Sequence, residues 1–170
     1  NFGFSQENKI NANLTNKIAV INLVHIRRNA AVIKNINQQI FGFQNNVKIS
    51  IEKEESVLRK AKQDLTKKRA ILAPEVYTEE RRKFEQGVVK LQRNIQNQKQ
   101  NLNKIKIKAM GKVEKILNGI ITKLAKERDY LLILRTDNTV LSSRKLDITK
   151  EILTKLNNQI TTLKIEPPLQ

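Results

Sequence analysis

Residues 65–84 read LTKKRAILAPEVYTEERRKF, and the proline in their middle decides the fold. Pro74 has no backbone N–H and restricts the residue before it, so a helix entering from Leu65 is expected to stop near Leu72. Glu75-Val76-Tyr77 then reads as a turn. Thr78 offers an N-cap oxygen, and Glu79 and Glu80 follow in a first turn where the helix dipole favours acids. The expected result is a tip at residues 73–78 between two helices.

The sequence on either side supports two long ones. Before the tip, Ile40, Phe43, Val47, Ile51, Leu58, Ala61, Leu65 and Leu72 recur at steps of three, four or seven. After it, Phe84, Val88, Leu91, Ile95, Gln98, Leu102, Ile105 and Ala109 alternate steps of four and three, and Val113, Ile116, Ile120 and Leu124 continue after one slip. These are heptad seams, and two seams joined by a tight turn predict an antiparallel coiled-coil hairpin over residues 36–126. A helix from Glu79 to about Lys126 would be ~70 Å long at 1.5 Å per residue, longer than any other segment could cover, so the hairpin is expected to project as an arm.

Farther out the period changes. Lys17–Val24, KIAVINLV, is β-branched and apolar on both faces, which predicts a strand. A short helix is expected in the stretch beginning HIRRN. Beyond the second long helix, Tyr130–Thr136 and Thr139–Ser143 flank Asp137-Asn138, a pair that tolerates positive φ and predicts a tight β-hairpin. Asp147 is placed to cap a last helix with Ile148, Ile152, Leu153, Leu156 and Ile160 on one face. Residues 1–16 read as a flexible lead and 161–170 as an irregular tail. The chain opens on Asn1 and not Met, which fits either a mature chain that has lost a signal peptide or a trimmed one.

Composition narrows the chemistry. With no cysteine and one histidine, a thiolate zinc site, a disulfide scaffold and a cysteine nucleophile are excluded. The longest apolar run, Ile18–Val24, is far below the ~20 residues of a membrane span. His25 has no nucleophile partner in a recognisable motif, and no Gly-rich phosphate loop occurs. No catalytic residue, metal or cofactor is expected, and the chain reads as a non-enzyme. The net charge of +17 points to an anionic partner. Residues 48–128 hold 22 Lys or Arg against 10 Asp or Glu, a net +12, so most of the excess lies on the hairpin. Lys67, Lys68, Arg69, Arg81, Arg82 and Lys83 gather near the tip. Lys104, Lys106, Lys108 and Lys112 lie on the ascending helix. With Val76 and Tyr77 at the turn, these are the candidate binding residues.

The fold class is therefore α+β: a long hairpin arm on a small β body made of residues 17–35 and 127–160. A sheet of three short, apolar strands exposes its edges unless copies of the chain seal them or, in a monomer, the strands close against the C-terminal helix. Ile18, Val20, Ile21, Leu131, Ile133 and Val140 are the candidate oligomer contacts.

The order of these elements, with Lys17-Ile18-Ala19-Val20-Ile21-Asn22 at one end and Leu146-Asp147-Ile148-Thr149 followed by Ile152-Leu153 and Leu156-Asn157 at the other, resembles the Skp/OmpH family of periplasmic chaperones. Leu72-Ala73-Pro74-Glu75 leading into Arg81-Arg82-Lys83-Phe84-Glu85 is similar to the family's arm tip. The resemblance covers about residues 17–160. It implies a homotrimer whose strands form a β-barrel, with three arms around a cavity that holds unfolded outer-membrane proteins in the periplasm without ATP. Anionic lipid or lipopolysaccharide would also suit the basic faces. The alternative is a basic coiled-coil nucleic-acid binder, which the charge permits but the few aromatics disfavour. A prefoldin-like chaperone is disfavoured by topology, because its strands lie between its helices.

Overall fold

The computed structural model describes residues 16–168. The expected flexible lead, but for Asn16, and the last two residues of the expected tail lie outside that range. The chain divides into two compact units, one of residues up to 37 with 108–164, the other of residues 38–107 with the segment from 165.

In the first unit, strand β1 (Ile18–Ile21) is shorter than KIAVINLV suggested. Asn22 ends it because its side-chain oxygen accepts the His25 N–H at 2.8 Å and caps helix α1 (Leu23–Asn29). Val24 and His25 are therefore helical and exposed. Ala30 takes an extended conformation and breaks the helix. The next free donor, the Ala31 N–H, goes to Asn157 Oδ1 at 2.9 Å, and helix α2 (Ala31–Lys68) starts there.

Helix α3 (Pro74–Glu127) ends in a left-handed residue, Asp129, at φ 56°. The Tyr130 N–H reaches back to the Ala125 carbonyl at 2.9 Å and the Asp129 N–H to that of Lys126 at 3.3 Å, the paired bonds of a Schellman stop. This turn delivers the chain to β1, with the Leu131 N–H bonded to the Lys17 carbonyl at 2.7 Å.

The expected β-hairpin does not form. Strand β2 (Leu132–Arg135) pairs in parallel with β1, with Ile18 opposite Leu132 and Ile21 opposite Arg135. Residues Thr136–Asn138 form a single 3-10 turn at negative φ, tied by the Thr139 N–H and hydroxyl to the Thr136 carbonyl. A two-residue hairpin of the type matching strand twist needs positive φ, so this turn splays the chain instead. Residues 139–143 form no strand. The other side of β1 receives only a bridge at Asp147, with the Ile148 N–H on the Val20 carbonyl at 3.0 Å.

Asp147 caps in part, since its Oδ1 accepts the Thr149 N–H at 2.8 Å at the start of helix α4 (Thr149–Gln159). Buried Thr149 in turn accepts the Asn22 N–H at 2.8 Å, tying α4 to the end of β1. Ala19, Val20, Ile26, Val32, Ile36, Val113, Leu117, Leu124, Ile152 and Leu156 form this unit's core. Each fully buried Leu or Ile contributes about 1.5–3 kcal/mol of apolar transfer free energy.

The second unit holds the facing stretches of α2 and α3. Asn94 Nδ2 donates to Glu54 Oε1 at 3.0 Å, and Leu58 abuts Gly87. The partner number falls as the α2 number rises, so the helices are antiparallel. Ile40, Leu91, Leu102 and Ile165 are its most buried apolar residues.

Candidate functional site

The tip sits earlier than the sequence suggested. Helix α2 ends at Lys68, and the Ile71 and Leu72 N–H groups both close on the Lys68 carbonyl, at 3.0 and 2.9 Å. The turn is therefore 69–73, and α3 begins at Pro74 itself. Its missing N–H costs nothing in the first turn of a helix, where donors are unsatisfied anyway. Thr78 consequently does not cap. Its hydroxyl donates to the Pro74 carbonyl at 2.8 Å, one helical turn back.

That shift relocates the apolar candidates. Val76 and Tyr77 belong to the first turn of α3 and not to the loop. Val76 remains 49% exposed, while Tyr77 is half-buried. The residue standing most clear of the helices is Ile71, at 81% exposure.

The six basic residues near the tip fall into two groups. Arg82 lies fork-on to Glu79, with Nε and Nη2 donating at 3.0 and 2.8 Å. Arg81 Nε donates to Glu85 at 2.8 Å, and Lys83 lies 3.8 Å from Glu80. The Arg82 hydrogen bond holds the Glu79 carboxyl below its ordinary pKa, and the same bond raises Arg82. Glu85 likewise raises Arg81. Lys67, Lys68 and Arg69 are exposed and make no ion pair among the described residues. Their charge is uncompensated, directly beside Ile71.

On α3, Lys104, Lys106, Lys108 and Lys112 are all exposed, but they are not one cluster. Lys104 and Lys106 belong to the second unit, and their two-residue spacing turns them about 200° apart around the helix. Lys108 and Lys112 belong to the first unit and share a face at i,i+4.

The candidate oligomer contacts also separate. Val20 and Ile21 are buried in their own chain's core, because β1 is covered on both faces, and Ile18 and Ile133 are half-buried. Leu131 and Val140 are exposed, together with Leu132, Leu134 and Leu141, which periodicity had not singled out. Residues 139–143 leave the sheet, and that carries Val140 and Leu141 into solvent.

No periodicity or motif pointed to a groove on the α2–α3 pair of the second unit. It has a volume of about 300 Å³ and is lined by Phe43, Val47, Ile51, Gln98, Pro167 and Pro168 among others.

A comparison with curated proteins finds no match. Among solved structures, the chain superposes on the crystal structure of an OmpH-like protein of Caulobacter crescentus CB15, provisionally named an outer membrane chaperone. The TM-score is 0.84 at 17% identity over 91% of each chain, which is a likeness of fold. Residues 17–156 match the family described as outer membrane protein (OmpH-like). The chain therefore belongs to the OmpH-like family.

Proposed function

We propose that the chain is an ATP-independent periplasmic holdase that binds unfolded outer-membrane proteins and prevents their aggregation. The observation that carries this reading is the tip: exposed Ile71 and Val76 beside the uncompensated charges of Lys67, Lys68 and Arg69. Clients of varying sequence share no shape that one pocket could fit, whereas shallow apolar contacts in a basic field suit many of them. Family membership supports the same reading.

A client much larger than one tip needs several copies. Homotrimer formation is part of the proposal, with the exposed apolar residues from Leu131 to Leu141 as the contact surface and the client held between helix pairs. Sealing such a surface by a second copy removes apolar area from water at about 25 cal/mol per Å².

The test dilutes a urea-unfolded β-barrel outer-membrane protein into buffer with and without the chain and follows light scattering. Suppression at low salt that weakens as salt is added is the expected result. No suppression, together with tight duplex binding at physiological salt, would favour the nucleic-acid alternative. Binding to anionic vesicles, measured separately, would show whether the same lysines also take lipid.

A further inference from the structure

Residues 160–168, after α4, have no regular secondary structure, yet Ile165 is buried. Its N–H donates to Gln39 Oε1 on α2 at 3.1 Å. Pro167 and Pro168 then lie in the groove with Phe43, Val47 and Ile51. Proline biases itself and the residue before it toward an extended backbone. Three such residues span ~9 Å, about what six helical residues span. The tail therefore has the reach to run from the level of Gln39 past that of Phe43.

Gln39 holds this segment by its main chain, through a donor that every residue except proline carries. Farther along the groove the fit is incomplete. Gln98 Oε1 is buried with no hydrogen-bond partner among the described residues, and the tail brings two prolines, which have no N–H, to the cavity it lines. A buried acceptor left unmade is destabilising. A segment with an N–H in place of either proline would supply a donor that Pro167 and Pro168 cannot.

We propose that this groove is a binding site for polypeptide in an extended conformation, which residues 165–168 occupy in cis and from which a client segment displaces them. The inference rests on the reading of the chain as a binder of unfolded proteins, and it adds a site and a built-in competitor.

The test compares the full chain with its Ile165→Asp variant, in which the buried anchor is expelled. One probe is a fluorescein-labelled peptide with the sequence of residues 161–170, and the other carries Pro167→Ala and Pro168→Ala. By fluorescence anisotropy, Ile165→Asp should bind the first peptide at least tenfold more tightly than the full chain does. The alanine peptide should bind the variant at least fivefold more tightly again, and Gln98→Leu should abolish that preference. Saturating alanine peptide should also lower the aggregation suppression of the variant. Equal binding by both chains, or no gain from the alanines, would overturn the groove. Unchanged suppression at saturation would overturn its role for clients. If Ile165→Asp loses its helical circular dichroism, Ile165→Ser takes its place in the same comparison. Failure of the full chain to suppress aggregation is a separate result and bears on the holdase reading alone.

Discussion

Asp129 ends α3 in the left-handed conformation while its carboxylate pairs with Lys17, 112 residues earlier, at the entrance to β1. One residue thus stops the longest helix and fixes where β2 meets β1. Non-glycine residues usually lose about 1–2 kcal/mol in this conformation, with Asp and Asn the best tolerated. The ion pair is largely exposed on the Asp129 side and adds at most about 1 kcal/mol. Asp129→Ala is expected to destabilise the chain by ~1 kcal/mol in urea unfolding, whereas Asp129→Asn and Asp129→Gly should stay within about 0.5 kcal/mol of the parent. If alanine and asparagine behave alike, the backbone conformation is not what selects aspartate.

Glycines inside α3 give a prediction of opposite sign. A methyl group at Gly111 or Gly119 would meet nothing within 4 Å, so alanine at either should add about 0.5–1 kcal/mol by restricting the unfolded chain and favouring the helix. At Gly87 the added carbon would lie 2.9 Å from Leu58 Cδ2, and Leu58 must shift. Gly87→Ala should then gain less than the other two in the same denaturation series. An equal gain at all three would mean that Leu58 moves freely.

The tip predicts unequal effects from equal losses of charge. Glu79 and Glu85 already neutralise Arg82 and Arg81. Replacing Lys67, Lys68 and Arg69 by Glu should therefore cost more aggregation suppression, and more of its salt dependence, than replacing Arg81, Arg82 and Lys83. The Glu79–Arg82 pair also has a definite pH sign. Its carboxyl is depressed in the folded chain, so the pair's stabilisation is full above the ordinary value of 4.5 and is lost as pH falls through the lowered one. Glu79→Gln should accordingly weaken the tip at neutral pH and make no difference once the parent carboxyl is protonated, measured as a difference in urea midpoint between pH 7 and strong acid.

The long helices were legible because a heptad seam is a local, repeated signal, and Pro74 marked the break between them. The same proline misplaced the tip by a few residues, since a proline that stops one helix can equally begin the next. Asp137-Asn138 was misread for a related reason. Tolerance of positive φ is not a requirement for it, and the ladder partner of β2 lay on the far side of both long helices, where no local pattern reaches. Basic residues were easy to list and hard to weigh, because whether Arg82 or Lys68 has free charge depends on rotamers one turn away. The docking of Ile165 and Pro167 had no signature at all. It is written in a main-chain N–H and a glutamine side chain, neither of which shows periodicity.

Val140 and Leu141 supply the prediction on assembly. Both are exposed in the single chain and contribute nothing to its core. Replacing both by serine should leave the secondary structure intact, because no hydrogen bond of the sheet and no buried side chain is touched. If this surface joins copies of the chain, the solution mass measured by light scattering at micromolar concentration should fall from that of three chains toward that of one. Aggregation suppression should fall with it, since one helix pair cannot surround a client. Val20→Ser is the counterpart: it acts inside the core of each chain and should lower stability by ~1–3 kcal/mol whatever the oligomeric state. A three-chain mass that survives both surface substitutions would place the contact elsewhere and leave Val140 and Leu141 as client contacts to be tested by the same suppression assay.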